Sequence, residues 1–590
     1  MMVLLALLLF SHRVAAAAQV EEPLETHQAL QADHALERAR RAQRDFENLR
    51  RRHLPRALGW GGSACDARVG RMCWVHAAVL GWTPREEAPA IIEARDSLIA
   101  RLVEAAADAP GNPWILGQRV WYLTEADRIP EALVLAERCG GVPSWWCSAL
   151  EGLVLHLQGW YPEAARAFDR ALGAMPPEEA LRWEDPAPLL DGDGADLLRH
   201  ASEGSPEERD VFIHRLWNLA DPLFLVPGND RRTEHLARHT LVHVFSDAVT
   251  PHGIRWGNDM GELLLRYGWE RGWERVPPYP GEMAASSRIV GYEHPDGRHF
   301  FPPAEILADP ASARSEPWAP TASPDMRSAY APEYAPVLLP MPSRLLILTR
   351  GDRALVAATF QLPRDTTYRG RKGIRAPHLP VEALRGWPLQ AGLFLTDANG
   401  APLYAGRKGG ASEGVLTLEV PAGDYHASVE VIDPGAGRAG RFRNGLRVRN
   451  MPPDVPVLSG LLPVEGGKVP RTTQEALGRL RIDDQIEVGE PLVVGWELWG
   501  LGWREEVVRY RLSLEPADTG FLERFRRLFG GVRRFPVLEW EEPGPDRPGP
   551  AFQGVSLDLP AQEPGEYVLT LEVSLRGRES MVSRRRLRLR

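Results

Sequence analysis

A chain of 590 residues is too long for a single hydrophobic core and divides into several domains, each able to bury its own apolar interior. With 44% hydrophobic and 25% charged residues the composition is that of ordinary globular protein, and a net charge of −9 is mild for this length. That argues against nucleic acid as the main partner, because phosphate binding requires a concentrated basic surface.

The chain opens with an apolar run at residues 3–10 followed by four alanines at 15–18. This pattern predicts a secretory signal, residues 1–18, cleaved after Ala18. The run is too short to span a bilayer, and no later segment approaches the roughly 20 apolar residues that a transmembrane helix needs. The expectation is an exported protein of the periplasm, cell envelope or extracellular space, with no transmembrane helix in the mature chain. Its cysteines form two equally spaced pairs, Cys65 with Cys73 and Cys139 with Cys147. In an exported protein that arrangement suggests two local disulfides. Free buried thiols and a metal site are the alternatives, the latter poorly matched by a gap of seven residues. Four cysteines allow three connectivities, and spacing alone does not choose among them.

Residues 26–52 contain no glycine or proline, and Leu30, Ala35, Ala39, Ala42 and Phe46 recur at helical spacing, so an amphipathic helix is expected with its arginines on a solvated face. Residues 144–176 then read as helix, turn, helix, with Ala149, Gly152, Leu153, Gly159, Tyr161, Ala164, Ala167, Phe168 and Ala171 carrying the pattern. A second copy aligns at an offset of 32, placing Trp114 on Trp146, Val120 on Gly152, and Pro130 on Pro162. A weaker third copy covers residues 73–110. The segment 26–176 thus resembles the tetratricopeptide superfamily. That resemblance implies a surface for docking a peptide or protein partner; a helical spacer that binds nothing is the alternative.

Residues 176–208 are rich in Pro, Asp and Gly and mark a boundary. Beyond it, 210–217 and 232–245 have helical periodicity, separated by a connector that Pro222, Pro227 and Gly228 keep from being helical. Asn229 or Asp230 is the expected N-cap of the second helix, with Glu234 in its first turns. The stretch around Asp221, Pro222, Asn229, Asp230, Glu234, Arg238, Trp256, Asp259, Tyr267 and Gly268 resembles the GWxTD domain, a bacterial family, across about 65 residues. Arg255 and Asn258 replace the glycine and threonine of its motif, which makes the chain a divergent member. Residues 488–501 resemble a strand and turn that such proteins commonly carry after the domain. The resemblance implies a label and an export context, and no reaction.

Several chemical readings of this region compete. Trp217, Trp256, Trp269 and Trp273 are read as packing wedges, with an aromatic ligand platform as the alternative. Asp221, Asp259, Arg238 and Arg266 are read as structural ion pairs and caps in preference to a cleft cluster. His235, His239 and His243 stand at i, i+4 and i+8, the spacing for metal ligation on one helix face. The residues between them supply no glutamate base, so structural histidines are the better reading. Gly410, Ser412 and Gly414 imitate a nucleophile elbow but fall between two expected strands. No phosphate loop, dinucleotide fingerprint or metal cage occurs, and no cofactor is expected.

Residues 311–340 contain many prolines and are read as a linker. After it the periodicity changes to two. Strands are expected at 344–348, 354–360, 392–396, 414–420, 425–432 and 441–448, and again at 491–498, 507–514, 554–559, 566–575 and 583–589. These predict two antiparallel β-sandwiches, 341–460 and 476–590.

The fold expected is therefore multidomain α+β, with N-terminal helical repeats, a small central α/β module at 210–310, and C-terminal sandwiches. The function expected is non-catalytic interaction or assembly in the bacterial cell envelope, with a protein partner docking on the repeats. Two alternatives stand beside it. One is a metal-dependent hydrolase using the histidine face with Asp221 or Asp259, and the other is carbohydrate binding by the sandwiches.

Overall fold

The computed structural model describes residues 29–57, 67–74, 82, 84–276, 288–320, 326–364, 384, 386–517, 537–559 and 564–590. The secretory signal, Cys65 of the first cysteine pair, and the arginine-bearing segment 521–535 lie outside the described residues. Described elements form a multidomain α+β architecture, and no helix among them is long and apolar enough to cross a membrane.

The first helix, α1 (residues 29–53), buries Ala35, Ala39, Ala42 and Phe46 of the stripe that its periodicity predicts, but Leu30, in its first turn, is exposed. Its arginine face is not uniformly solvated, however, because Arg50 is fully buried among ionic partners described below. A two-stranded hairpin, β1 (Ala67–Val69) and β2 (Met72–Trp74), precedes α2 (Pro89–Asp108). Among the described residues of the expected third repeat, 73–110, there is one helix, α2, which packs on the next helix. The other two units are helical hairpins in the expected register, α3 (Pro113–Glu125) with α4 (Ile129–Glu137), and α5 (Ser144–Leu157) with α6 (Tyr161–Ala174). Pro130 and Pro162 occupy their first turns, where a missing N–H leaves no hydrogen bond unmade. Phe168 packs so tightly over Gly152 that a Cβ there would lie 2.7 Å from its ring. Cys139 and Cys147 are disulfide-bonded at the start of α5.

The Pro-, Asp- and Gly-rich stretch after this stack is mostly helical, which corrects its reading as a plain connection. It contains α7 (Pro177–Glu184) and α8 (Gly192–Gly204), then α9 (Pro206–Ala220). Its prolines stand at helix starts and Asp191 and Ser205 are N-caps, so residues that suggest a loop are helix-initiating signals here. Then come α10 (Asp230–Val244), α11 (Asn258–Tyr267), and a hairpin of β3 (Gly272–Val276) with β4 (Arg288–Tyr292). Asn229 caps α10, accepting from the Arg232 N–H at 2.9 Å. Leu236, Ala237, Leu241, Val244 and Phe245 lie in one apolar core with α1 to α6, so a face of the helical stack is filled by α10 of the same chain.

The C-terminal half has two pairs of sheets. Strands β5 (Val337–Pro340), β6 (Leu345–Arg350), β7 (Arg353–Gln361), β8 (Gln390–Thr396), β9 (Pro402–Gly409), β10 (Glu413–Pro421), β11 (Gly423–Asp433) and β12 (Arg438–Val448) form sheets ordered β10-β7-β6 and β5-β12-β11-β8-β9. These two sheets share a core that includes Val356, Phe360, Leu393, Leu416 and Val429. In the second pair, β13 (Leu492–Trp499) belongs to a four-stranded sheet, and β14 (Val507–Pro516) and β15 (Gly565–Leu575) to a five-stranded one. Trp496, Tyr510 and Leu571 meet in the core between them. The G-x-S-x-G sequence is the loop between β9 and β10.

Residues 326–340 are not a linker. Tyr330, Tyr334, Ala335 and Leu338 are buried, and β5 pairs parallel to β12 at the sheet edge. An edge strand tolerates the prolines that a central one excludes.

Candidate functional site

The connector between α9 and α10 is held by charged groups of the neighbouring sheet. Leu223, Phe224, Leu225 and Val226 are buried in it. Arg443 donates from Nη2 to the Asp221 carbonyl at 2.6 Å, and Arg441 donates to the Pro222 carbonyl at 3.2 Å. The Leu225 N–H donates to Glu430 at 2.9 Å, and Arg407 donates to the carbonyls of Phe224 and Leu225. A helix end and a turn leave their carbonyls without partners, and these guanidinium groups supply them. The Asp221 carboxylate accepts from the Leu223 N–H at 3.1 Å and shapes the turn, while the carbonyls of the Asp-Pro pair, held by Arg443 and Arg441, join the connector to the sheet.

The other residues of the central motif are also engaged structurally. Asp230, whose pKa is pushed up to about 6 by burial, accepts from the hydroxyls of Tyr330 and Tyr334 at 2.8 and 3.2 Å. Arg238 donates to the carbonyls of Leu265, Arg266 and Ala329, at 3.0, 3.0 and 2.8 Å, and closes the C-terminal end of α11. Trp256 stacks on Phe245 with ring centres 5.3 Å apart. Asp259 receives a two-pronged ion pair from Arg71, at 2.6 and 2.8 Å, which ties the β1–β2 hairpin to the start of α11. Tyr267 donates to the Met326 carbonyl and accepts from Arg266. Asp221, Asp259, Arg238 and Arg266 therefore have separate partners and do not converge.

The three histidines of α10 interleave with tryptophans. His235 packs on Trp217, His239 stacks on Trp183, and His243 lies against Trp145 and Trp146. Burial lowers the pKa of all three, that of His239 to about 3, so the imidazoles are neutral. Among the described residues no group of three His, Cys, Asp or Glu side chains is placed to hold a metal ion.

What the fold does create is a cavity of about 640 Å³ between the helical stack and the central module. Its walls come from α1, α2, α3, α5 and α10 on one side, and from residues 267–274, 293–297 and 329–333 on the other. Glu234, Arg238, Tyr267 and Gly268 of the motif line it, together with Trp269 and Trp273. His156, which no sequence motif marks, lines it too. Its Nε2 lies 2.7 Å from Glu234 and its Nδ1 lies 2.9 Å from the Thr233 hydroxyl. Burial works to raise the Glu234 pKa, but Arg238, 2.5 Å away, and His156 outweigh it and hold the carboxyl well below the usual range.

Threonine, histidine and glutamate in a row are the residue types of a hydrolytic triad. Thr233 is 0% exposed, however, and its hydroxyl also reaches the Asn229 and Asp230 carbonyls, so it offers no attacking oxygen to a substrate. Elsewhere in the cavity many of the charges are paired. Arg95 and Arg50 meet Glu125 at 2.9 and 2.5 Å, Arg85 meets Glu274 at 3.3 Å, and Arg271 pairs with Glu333. His252, just behind the wall, pairs with Glu270 at 2.8 Å. Burial works to lower the His252 pKa, but the Glu270 carboxylate outweighs it and raises it.

No protein-family model and no curated protein matches the chain. Among solved structures, red sea bream transglutaminase is 11% identical over 42% of this chain and 31% of its own length, with a TM-score of 0.13. This chain spans less than a third of that enzyme, and the likeness carries no argument about fold or activity.

Proposed function

We propose that this is an exported, non-catalytic binding protein of the bacterial cell envelope, a divergent relative of the GWxTD-domain proteins, that takes up a ligand between its helical repeats and its central module. The observation that carries the reading is the cavity, which lies within the roughly 300–1,000 Å³ range of small-ligand sites and is walled by both domains. Many of its charged side chains are engaged with one another, and the triad-like row of Thr233, His156 and Glu234 lacks an accessible nucleophile. The motif residues support a binding role as well, since Glu234, Arg238, Tyr267 and Gly268 line the cavity and the rest do not converge on a reacting centre. A protein partner on the repeats would meet their outer surface, because α10 fills the inner face. The hydrolase alternative has less to support it, since His235, His239 and His243 pack on tryptophans.

Tryptophan emission provides the test, because Trp121, Trp269 and Trp273 line the cavity. The purified full chain is titrated with saccharides, oligopeptides and nucleotides. A saturable change that Trp273→Ala removes, with the far-ultraviolet spectrum unaltered, supports the proposal. Turnover of a bound compound would overturn the non-catalytic reading, and absence of a saturable response from every class would overturn the binding reading.

A further inference from the structure

The cavity combines two features whose chemistry points to one class of ligand, and the argument rests on the binding role proposed above. The first is aromatic. Trp82 lines the cavity and is backed by Tyr292, with ring centres 4.4 Å apart and planes 9° from parallel. Trp269 is backed in the same way by Phe245, at 4.3 Å and 3°, and meets Trp273 edge to face at 5.8 Å. Rings braced from behind by other rings are rigid apolar platforms, and ordering a ligand against them costs little side-chain entropy.

The second feature is the state of the charges. The lining holds eight glutamates against five arginines, an excess that would suit a basic peptide. Yet the carboxylates of Glu125, Glu234, Glu274 and Glu333 each sit beside an arginine of the same wall. A ligand cation would have to compete with these built-in partners in a partly buried setting. A hydroxyl donates one hydrogen bond and accepts others, so neighbouring hydroxyls match a carboxylate and a guanidinium standing side by side without displacing either. Flat apolar platforms flanked by alternating acceptors and donors suit the two faces of a pyranose, apolar across its C–H groups and polar around its rim.

We infer that the cavity is a saccharide site, with room for roughly two or three sugar residues, in which Trp82 and Trp269 provide stacking surfaces and the Arg271–Glu333 pair grips hydroxyls. The site lies between the helical stack and the central module, away from the C-terminal sheets.

A glycan array probed with the full chain, followed by calorimetric titration of the best neutral oligosaccharide and of triarginine, tests this. The expected result is saturable binding of a neutral oligosaccharide that weakens at least tenfold in both Trp82→Ala and Glu333→Gln, with no binding of triarginine. Glu333→Gln keeps the shape of the side chain, so a loss there is not a loss of fold, and circular dichroism of both variants checks this. Binding of triarginine alone would overturn the saccharide assignment and leave the binding role standing. Saccharide binding unchanged in both variants would place the site elsewhere and overturn the inference. If neither probe binds while another class from the fluorescence panel does, the inference falls alone; if nothing binds at all, both readings fall.

Discussion

Arg238 occupies the space that a side chain at position 268 would need: a Cβ on Gly268 would lie 3.0 Å from its Nη2. Gly268 also has φ +85°, a left-handed conformation that other residues adopt only under strain. Gly268→Ala is therefore expected to displace the guanidinium from the carbonyls at the end of α11 and to destabilise the protein by about 1–3 kcal/mol. Urea denaturation of the variant measures this, and an unshifted midpoint would show that the contact is unimportant.

Arg443 and Glu430 are buried together where the sheet grips the connector between α9 and α10. Arg443→Met removes the donor to the Leu219 and Asp221 carbonyls and leaves the Glu430 charge without its closest cation. Breaking a buried pair in this way costs about 3–5 kcal/mol. Scanning calorimetry is expected to show the helical and sheet parts melting apart, where the parent melts as a unit across this contact.

Glu47 makes stability fall as pH rises. Burial is the main cause that lifts its pKa from 4.5 to about 7, with Glu125 adding to it, while Arg50 and Tyr122 oppose. Between those two values the native protein keeps a proton that the unfolded chain has released. Raising the pH through that window thus weakens the fold by about 1.4 kcal/mol per unit, and the loss is constant above it. Glu47→Gln should remove this part of the slope. Urea midpoints of parent and variant at pH 5 and pH 8 give the comparison, and equal differences would refute the assignment.

The disulfide between Cys139 and Cys147 closes a short loop, with a sequence separation of 8. Restricting so short a loop in the unfolded chain contributes about 2–3 kcal/mol. The double serine variant is expected to lose that amount of stability while keeping its helical circular dichroism, because the core of α5 and α6 is formed by other residues.

Periodicity carried much of the fold. Strands at 354–360 and 425–432 lie within β7 and β11, and the 32-residue offset places two helical hairpins in register, because both signals arise from contacts between near neighbours. What the periodicity hides is long-range. Arg441 and Arg443 alternate along an expected strand, and the connector folded over them, which no local pattern shows, buries both. Prolines read as breakers, although at 177 and 206 they begin helices and at 340 one ends an edge strand. The motif residues were legible as a set, but not their partners, since the carbonyls that Arg238 reaches include one 91 positions away. His156 could not be found from sequence at all: it lies on α5 among apolar residues and acquires its role only when α10 docks.

The segment 326–334 supplies acceptors to Arg238, Arg266 and Tyr267 and the hydroxyls that donate to Asp230. A chain made from its N-terminus, at about 5–20 residues per second, completes α10 and α11 several seconds before that segment exists. Until then Arg238, Arg266 and Asp230 lack these long-range hydrogen bonds, and the helical half cannot reach its final state. The order of synthesis therefore runs against the order of closure. A fragment ending at residue 320 is expected to remain partly unfolded even though every one of its helices is encoded, and hydrogen exchange in α10 would report it.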